Sequence, residues 1–262
     1  MAVLDNFFGD EERTIISLSW LMILSGVVAT NILCGGFKAA YGRYGEESFF
    51  AKFTISAKTA WFIQELPSLV VPIYALLTNF SNLSFVNFTV LLLFIVHYIQ
   101  RTLIYPFLIK GGKPSPVHVV AMAFVFCVFN GYLQGFYHAK YAVYERDHYL
   151  NIISLIGLLT FILGMAINIH SDHILRNLRK PGETGYKIPI GGMFDYVSGA
   201  NFFGEIVEWF GFALYAQTVP AAAFAFFTIS NIGPRALQHH QWYHSKFENY
   251  PTHRRALIPF LL

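Results

Sequence analysis

The sequence predicts an all-α integral membrane protein of seven transmembrane helices, with the N-terminus outside and the C-terminus in the cytoplasm. Three observations predict it. The 262 residues are 55% hydrophobic and 18% aromatic but only 13% charged, about half the charged share of an average soluble domain. The apolar residues gather into seven runs, most of them near the roughly 20 residues needed to cross about 30 Å of hydrocarbon. Lysine and arginine then fall on alternate connections, as the positive-inside bias requires. Seven spans leave roughly 120 residues for loops and tails, too few for a separate soluble catalytic domain. Any chemistry is therefore built into the bundle and its short loops.

The opening segment, MAVLDNFFGDEER, is acidic where a secretory signal would be basic, so residues 14–34 are read as a first membrane helix. The next spans are expected at 59–77, 85–108, 117–136, 149–170, 199–217 and 219–233, each bounded by polar or Gly/Pro-containing stretches. The last is short, and the break at 217–220 leaves a single bent hairpin open as an alternative. Two long polar segments, 171–198 and 235–262, are expected to be irregular.

Charge counting tests the division. The N-tail and the second, fourth and sixth loops hold Arg13, Lys140 and Arg146. The other loops and the C-tail hold Lys38, Arg43, Lys52, Lys58, Lys110, Lys113, Arg176, Arg179, Lys180, Lys187, Arg235, Lys246, Arg254 and Arg255. Three against fourteen places the second group in the cytoplasm, and Arg101 is left inside the third span. A net charge of +3, scattered along the chain, gives no ground for nucleic acid as a partner. Cys34 and Cys127 both lie in apolar runs, which offers no disulfide framework.

Ionisable residues within spans are expensive, on the order of 3 kcal/mol, and so mark functional or paired positions. At 1.5 Å per residue, Glu65 lies roughly 9 Å inside the cytoplasmic end of the second helix, Tyr98 roughly 15 Å inside that of the third, and Glu205 roughly 9 Å into the sixth. Arg101 follows Tyr98 by one turn, and Glu208 follows Glu205 on the same face. All reach the cytoplasmic half of the bundle, where Gln64, Asn168, His170 and Asp172 add polar groups. A Glu65–Arg101 ion pair, with Glu205 and Glu208 held by loop arginines, is the plain structural alternative to a pocket.

Two chemistries suit such a pocket. His170 and His173, with His239, His240 and His244, have spacings used by membrane di-iron oxygenases, but His97, His118, His138, His148 and His253 are isolated, whereas those enzymes cluster about eight. The second is an anionic cofactor at the cytoplasmic mouth, held by Arg176, Arg179, Lys180, Lys187 and Arg235 through charge-assisted hydrogen bonds. No G-x-G-x-x-G follows a strand, so a nucleotide would need a site made from helix ends and loops.

The strings WFIQELPSLVVP, HYIQRT, LGMAINIHSDHILRNLRKPGETGYKIP, GGMFDYVSGANFFGEIVEWFGFAL and RALQHHQWYHSKFENYPTHRRALIPFLL together resemble the steroid 5α-reductase family over nearly the whole chain, and within it the type 2 branch. Gln238 departs from a histidine frequent in the family. The C-terminal part is shared with enoyl-thioester and polyprenol reductases, and QELP followed by a tyrosine in the next helix favours the steroid branch.

The resemblance implies an NADPH-dependent membrane enzyme that reduces the 4,5 double bond of a 3-oxo-4-ene steroid. It gives Glu65 and Tyr98 the 3-oxo oxygen. Around the cofactor it places Tyr41, Gly42, Lys113, Asn168, Asp172, Arg179, Tyr186, Asn201, Glu205, Arg235, His239 and Tyr243. Trp61, Gln64, Arg101, Phe126, Trp209 and Phe227 are expected around the steroid. One membrane-embedded domain results, with residues 14–136 as its substrate part and 149–262 as its NADPH part, expected to act as a monomer on a steroid arriving from the bilayer. The host membrane is a bacterial inner membrane or the endoplasmic reticulum. The competing readings are a sister double-bond reductase and a non-redox lipid-binding membrane protein.

Overall fold

The computed structural model describes residues 10–38, 53–180, 183 and 185–262, which form seven long helices and a single pair of two-residue strands. The helices are α1 (Glu11–Cys34), α2 (Ala57–Asn79), α3 (Phe85–Leu108), α4 (Val117–Tyr141), α5 (Ile152–Asn177), α6 (Ala200–Ala216) and α7 (Val219–Lys246). The first five are long and apolar enough to cross a membrane. α6 has 17 residues, and α7 turns polar from Arg235 onward. Asp10, Ser56, Ser84 and Asn151 cap the starts of α1, α2, α3 and α5 by accepting a backbone N–H of the first turn, where donors lack helical partners.

One expectation is corrected and one open alternative is settled. Residues 171–198 and 235–262 are not irregular throughout, because α5 continues to Asn177 and α7 runs through Pro234 to Lys246. The buried ring of Pro234 shows that packing offsets the hydrogen bond a proline removes. At 217–220, Gln217 takes a left-handed conformation (φ 49°) that ends α6. Pro220 then sits in the first turn of α7, where its missing N–H has no helical acceptor. Two helices result, not one bent hairpin.

Glycines set the helix pairs. Along α5 and α6, Gly157, Gly164, Gly204 and Gly211 bring backbone against backbone: a Cβ on Gly164 would meet the Glu208 nitrogen at 2.1 Å, and one on Gly211 the Phe161 nitrogen at 2.3 Å. Small residues allow such approach in membrane helices. Gly131 and Gly135 seat α4 on Pro67 and Pro72 of α2, and Gly26 seats α1 against Phe226 and Ser230 of α7. The α1–α7 contact crosses between the two sequence halves.

Hydrogen bonds tie helix ends together at both ends of the bundle. At one end the Glu11 carboxylate accepts from Tyr132 (3.1 Å), Lys140 (2.9 Å) and Tyr141, joining the start of α1 to the end of α4. At the other, the Gln238 amide of α7 donates to the Leu33 and Phe37 carbonyls after α1. There the strands β1 (Thr54–Ile55) and β2 (Ser115–Pro116) pair antiparallel. The tail binds the connection between α5 and α6: Ser198 and Gly199 donate to the Arg255 and Ala256 carbonyls, and buried Arg254 donates to the Pro189 carbonyl at 2.8 Å.

Candidate active site

α3 places the site's central side chains. Its residues Ile99–Ile104 form a π-helical turn, a local widening frequent at functional positions. Around it the buried arc of α3 broadens to include Phe94, His97, Tyr98, Gln100, Arg101 and Thr102. His97 and Arg101 both turn toward α5 and α6. The Arg101 guanidinium donates to Asp172 at 2.9 Å, with both side chains buried. It also lies 4.6 Å from the Trp61 ring centroid and 4.7 Å from that of Tyr105, a cation held between aromatic faces. His97 Nδ1 shares a 2.7 Å hydrogen bond with Glu208 Oε1.

These pairs decide questions the sequence left open. Arg101 takes Asp172, not Glu65, because α3 and α5 end side by side. Glu208 takes His97 rather than a loop arginine, being fully buried opposite α3. Glu65 instead accepts from its neighbour Gln64 (3.3 Å) and from the Cys127 thiol (3.8 Å), while Ser68, one turn on, donates to the Cys127 carbonyl at 3.2 Å. Tyr98 lies within electrostatic reach of Glu65, Cys127 and Glu205. Its ring is 4.7 Å from Phe94, 5.0 Å from His97 and 6.1 Å from Trp209. Trp209 is itself 1% exposed at the middle of the largest core cluster, and Phe126 stacks on Phe227 at 4.7 Å. Tyr98 thus lies within electrostatic reach of Glu65 and Glu205, and Arg101 within reach of Asp172, Glu205 and Glu65.

The second group of residues lies at the helix ends. Asn168 donates to the Asn201 carbonyl at 2.9 Å, where Gly204 sits against the Asn168 backbone. Gly191 and Gly192 both have positive φ, and a Cβ on Gly192 would meet the His170 ring at 2.6 Å, so only glycine lets this loop close on α5. His239 lies against Phe202 at 5.4 Å, Tyr186 against Trp242 at 4.8 Å, and Tyr243 stacks on Tyr250 at 5.2 Å. Arg179 is exposed and reaches the Gly185 carbonyl at 3.4 Å, and Lys113 is exposed on the connection after α3. Tyr41 and Gly42 lie outside the described residues. Lys187 and the backbone N–H of Lys180 donate to Glu183, which holds that carboxyl below its ordinary range.

Several polar atoms here are buried without a hydrogen-bond partner among the described residues: Arg176 Nη1, Ser171 Oγ, Thr102 Oγ1 and Glu208 Oε2. Arg176 donates to His173 through its other terminal nitrogen, leaving one guanidinium donor committed to nothing among those residues. With Arg179 and Lys180 exposed beside it, the donor set fits an extended anionic group whose phosphates take charge-assisted hydrogen bonds. Of the histidines with metal-like spacing, His173 is tied to Arg176 and Asn177, and His240 hydrogen-bonds Ser198 at 2.6 Å. His97 and Glu208 are the residues whose pairing the sequence did not reveal, although the four-residue spacing of His97 and Arg101 put both on one helical face.

A family model described as 3-oxo-5-alpha-steroid 4-dehydrogenase matches residues 113–262. The chain is 49% identical to rat 3-oxo-5-alpha-steroid 4-dehydrogenase 1 over 251 residues, covering 94% of this chain and 95% of that protein. The human type 1 protein is 49% identical over 255 residues, or 96% of either chain. Pig 3-oxo-5-alpha-steroid 4-dehydrogenase 2 is 51% identical over 224 residues, 85% of this chain and 88% of its own. The expected preference for the type 2 branch is not visible in these values, which support both.

Proposed function

This chain belongs to the 3-oxo-5-alpha-steroid 4-dehydrogenase family, and on that premise we propose that it reduces the 4,5 double bond of 3-oxo-4-ene steroids to 5α-steroids with NADPH. The observation that carries the reading is about 50% identity to both types of that oxidoreductase over most of the chain, joined to a buried tyrosine within electrostatic reach of a carboxyl group.

When bound, NADPH would supply a hydride for the β-carbon of the enone. Charge would then gather on the 3-oxo oxygen as an enolate, which collapses as the α-carbon takes a proton from solvent, and donors aimed at that oxygen stabilise the transition state more than the ground state. Tyr98 is such a donor, its ring fixed by Phe94, His97 and Trp209. Glu65 is the second group assigned to that oxygen, oriented by Gln64 and Cys127, while Arg101 is committed to Asp172. Trp61, Phe126, Trp209 and Phe227 furnish apolar walls, and Gln64 and Arg101 border them. On the cofactor side, Asn168, Asp172, Asn201 and Glu205 line the inner end, while Arg179, Tyr186, Arg235, His239 and Tyr243, with Lys113, Tyr41 and Gly42, surround the remainder.

In this reading seven helices span the membrane with the N-terminus outside, the cofactor mouth faces the cytoplasm of a bacterium or the cytoplasmic side of the endoplasmic reticulum, and the steroid reaches a monomer laterally from the bilayer. Incubating purified protein with NADPH and a 3-oxo-4-ene steroid tests it directly. A saturable reaction giving the 5α product is expected. No product, with turnover of an enoyl thioester or a polyprenol instead, would move the chain to a sister activity.

A further inference from the structure

Glu208 has no part in the residue roles assigned so far, and the surroundings of the His97–Glu208 pair single it out. The helices carrying Glu65 and Tyr98 (α2 and α3) meet those carrying Asn168, Asn201 and Glu205 (α5 and α6) through a shared apolar core that includes Phe94, Phe161, Trp209 and Phe212. At the level of Tyr98, two buried polar bridges one turn apart on α3 connect them: His97 to Glu208 on α6, and Arg101 to Asp172 on α5. Arg101 has a second occupation between Trp61 and Tyr105. His97 likewise lies between two rings, 5.0 Å from Tyr98 and 4.4 Å from Trp209, and one of them is the tyrosine assigned to the enone.

The far side of the pair is the most tightly held backbone described, since Gly164 admits the Glu208 nitrogen to within 2.1 Å of where a Cβ would stand. Glu208 is 0% exposed and its Oε2 has no partner among the described residues. For stability alone this is a poor arrangement. Two apolar side chains of similar volume would do as well or better than a buried polar pair, whose best-attested use is fixing register.

We infer that His97 and Glu208 are positioning residues: their hydrogen bond sets α3 against α6 so that Tyr98, caged by His97 and Trp209, presents its hydroxyl to the enone at a fixed distance from the cofactor side. The inference deepens the proposed reductase reading and rests on it. Neither residue touches the reacting atoms. A shift of about 1 Å between donor and acceptor groups lowers turnover by on the order of 100-fold, and this is the scale expected when the bridge is removed.

The test compares a double His97→Leu, Glu208→Leu variant with the single variants His97→Asn and Glu208→Gln in the purified full-length enzyme. The double leucine variant is expected to melt within a few degrees of the parent, bind NADPH equally, and lose about 100-fold in kcat with little change in KM for NADPH. Its primary isotope effect with deuterated NADPH should gain a steeper temperature dependence, which a change in folding alone would not produce. The His97→Asn and Glu208→Gln variants, each able to keep a hydrogen bond across the helices, should stay within about tenfold of the parent, one order of magnitude above the loss for a misplaced donor. Parental kcat in a folded double leucine variant would overturn the inference. Equal losses in the conservative and leucine variants would do the same. Absence of turnover in the parent would instead overturn the reductase reading, and the role of the pair with it.

Discussion

Gly164→Ala tests how the α5–α6 seam controls the site. The added Cβ would stand 2.1 Å from the Glu208 nitrogen, 2.5 Å from its Cα and 2.7 Å from the Gly204 carbonyl, all backbone atoms that no rotamer change can move. Restoring an ordinary contact of 3.4 Å requires α6 to retreat by about 1.3 Å, the difference between the two distances. That displacement carries Glu205, Glu208 and Trp209 with it. Overpacking of this kind costs about 1–3 kcal/mol of stability, and a misplacement of about 1 Å at the reacting groups costs on the order of 100-fold in kcat. Gly233→Ala is the matched control, because its Cβ would meet only a leucine methyl at 3.8 Å. Thermal unfolding in detergent and turnover per NADPH-binding site read the two effects separately. A Gly164→Ala enzyme with parental kcat, or a Gly233→Ala enzyme equally impaired, would refute the claim that this seam sets the geometry of the site.

Tyr98→Phe leaves the ring among Phe94, His97 and Trp209 and removes one donor, so kcat should fall about 10²–10³-fold while NADPH affinity is unchanged; loss of NADPH binding in titrations would place Tyr98 elsewhere. Arg179→Ala should mainly raise KM for NADPH, and steady-state kinetics with varied NADPH would expose a purely steroid-side effect as contrary. Asp172→Asn leaves the buried Arg101 without its counter-charge and should destabilise the fold by about 3–5 kcal/mol, seen as a lowered melting temperature. Burial, with help from His244 and Arg255, pushes the His240 imidazole below its ordinary 6.5. As pH falls below that value the unfolded chain takes up a proton that the folded one resists, so stability is full above the window and declines on acidification. A His240→Gln variant should flatten that acid limb in pH-dependent melting curves, and an unaltered limb would assign it to other groups.

The helices were legible in the sequence because apolar run length acts residue by residue: all seven runs are helical, and Tyr98 and Arg101 both lie within electrostatic reach of Glu65 and Glu205. What escaped depends on neighbours. The last turns of α5 and the second half of α7 are as polar as loops, and packing of Pro234 and of the tail keeps them helical. Arg101 choosing Asp172 over Glu65 follows from how α3 and α5 are juxtaposed, which no spacing within α3 encodes. His97 looked isolated for the same reason. One signal was present and unread: Gly157 and Gly164, like Gly204 and Gly211, stand seven residues apart, the small-residue stripe along which α5 and α6 meet.

The π-helical turn of α3 has a consequence for how the chain tolerates change in length. A turn of this kind accommodates one residue more than an α-helical turn would, and each residue of an α-helix advances the face by about 100°. Shortening the segment Ile99–Ile104 by one residue would therefore turn it into an ordinary α-helical turn and leave the faces on either side in register, so that Phe94 and His97 before it and Tyr105 and Pro106 after it would keep their neighbours. Elsewhere in α3 the same deletion would swing every later side chain by about 100°, so the wide turn is the one place where this helix can lose a residue without being re-aimed.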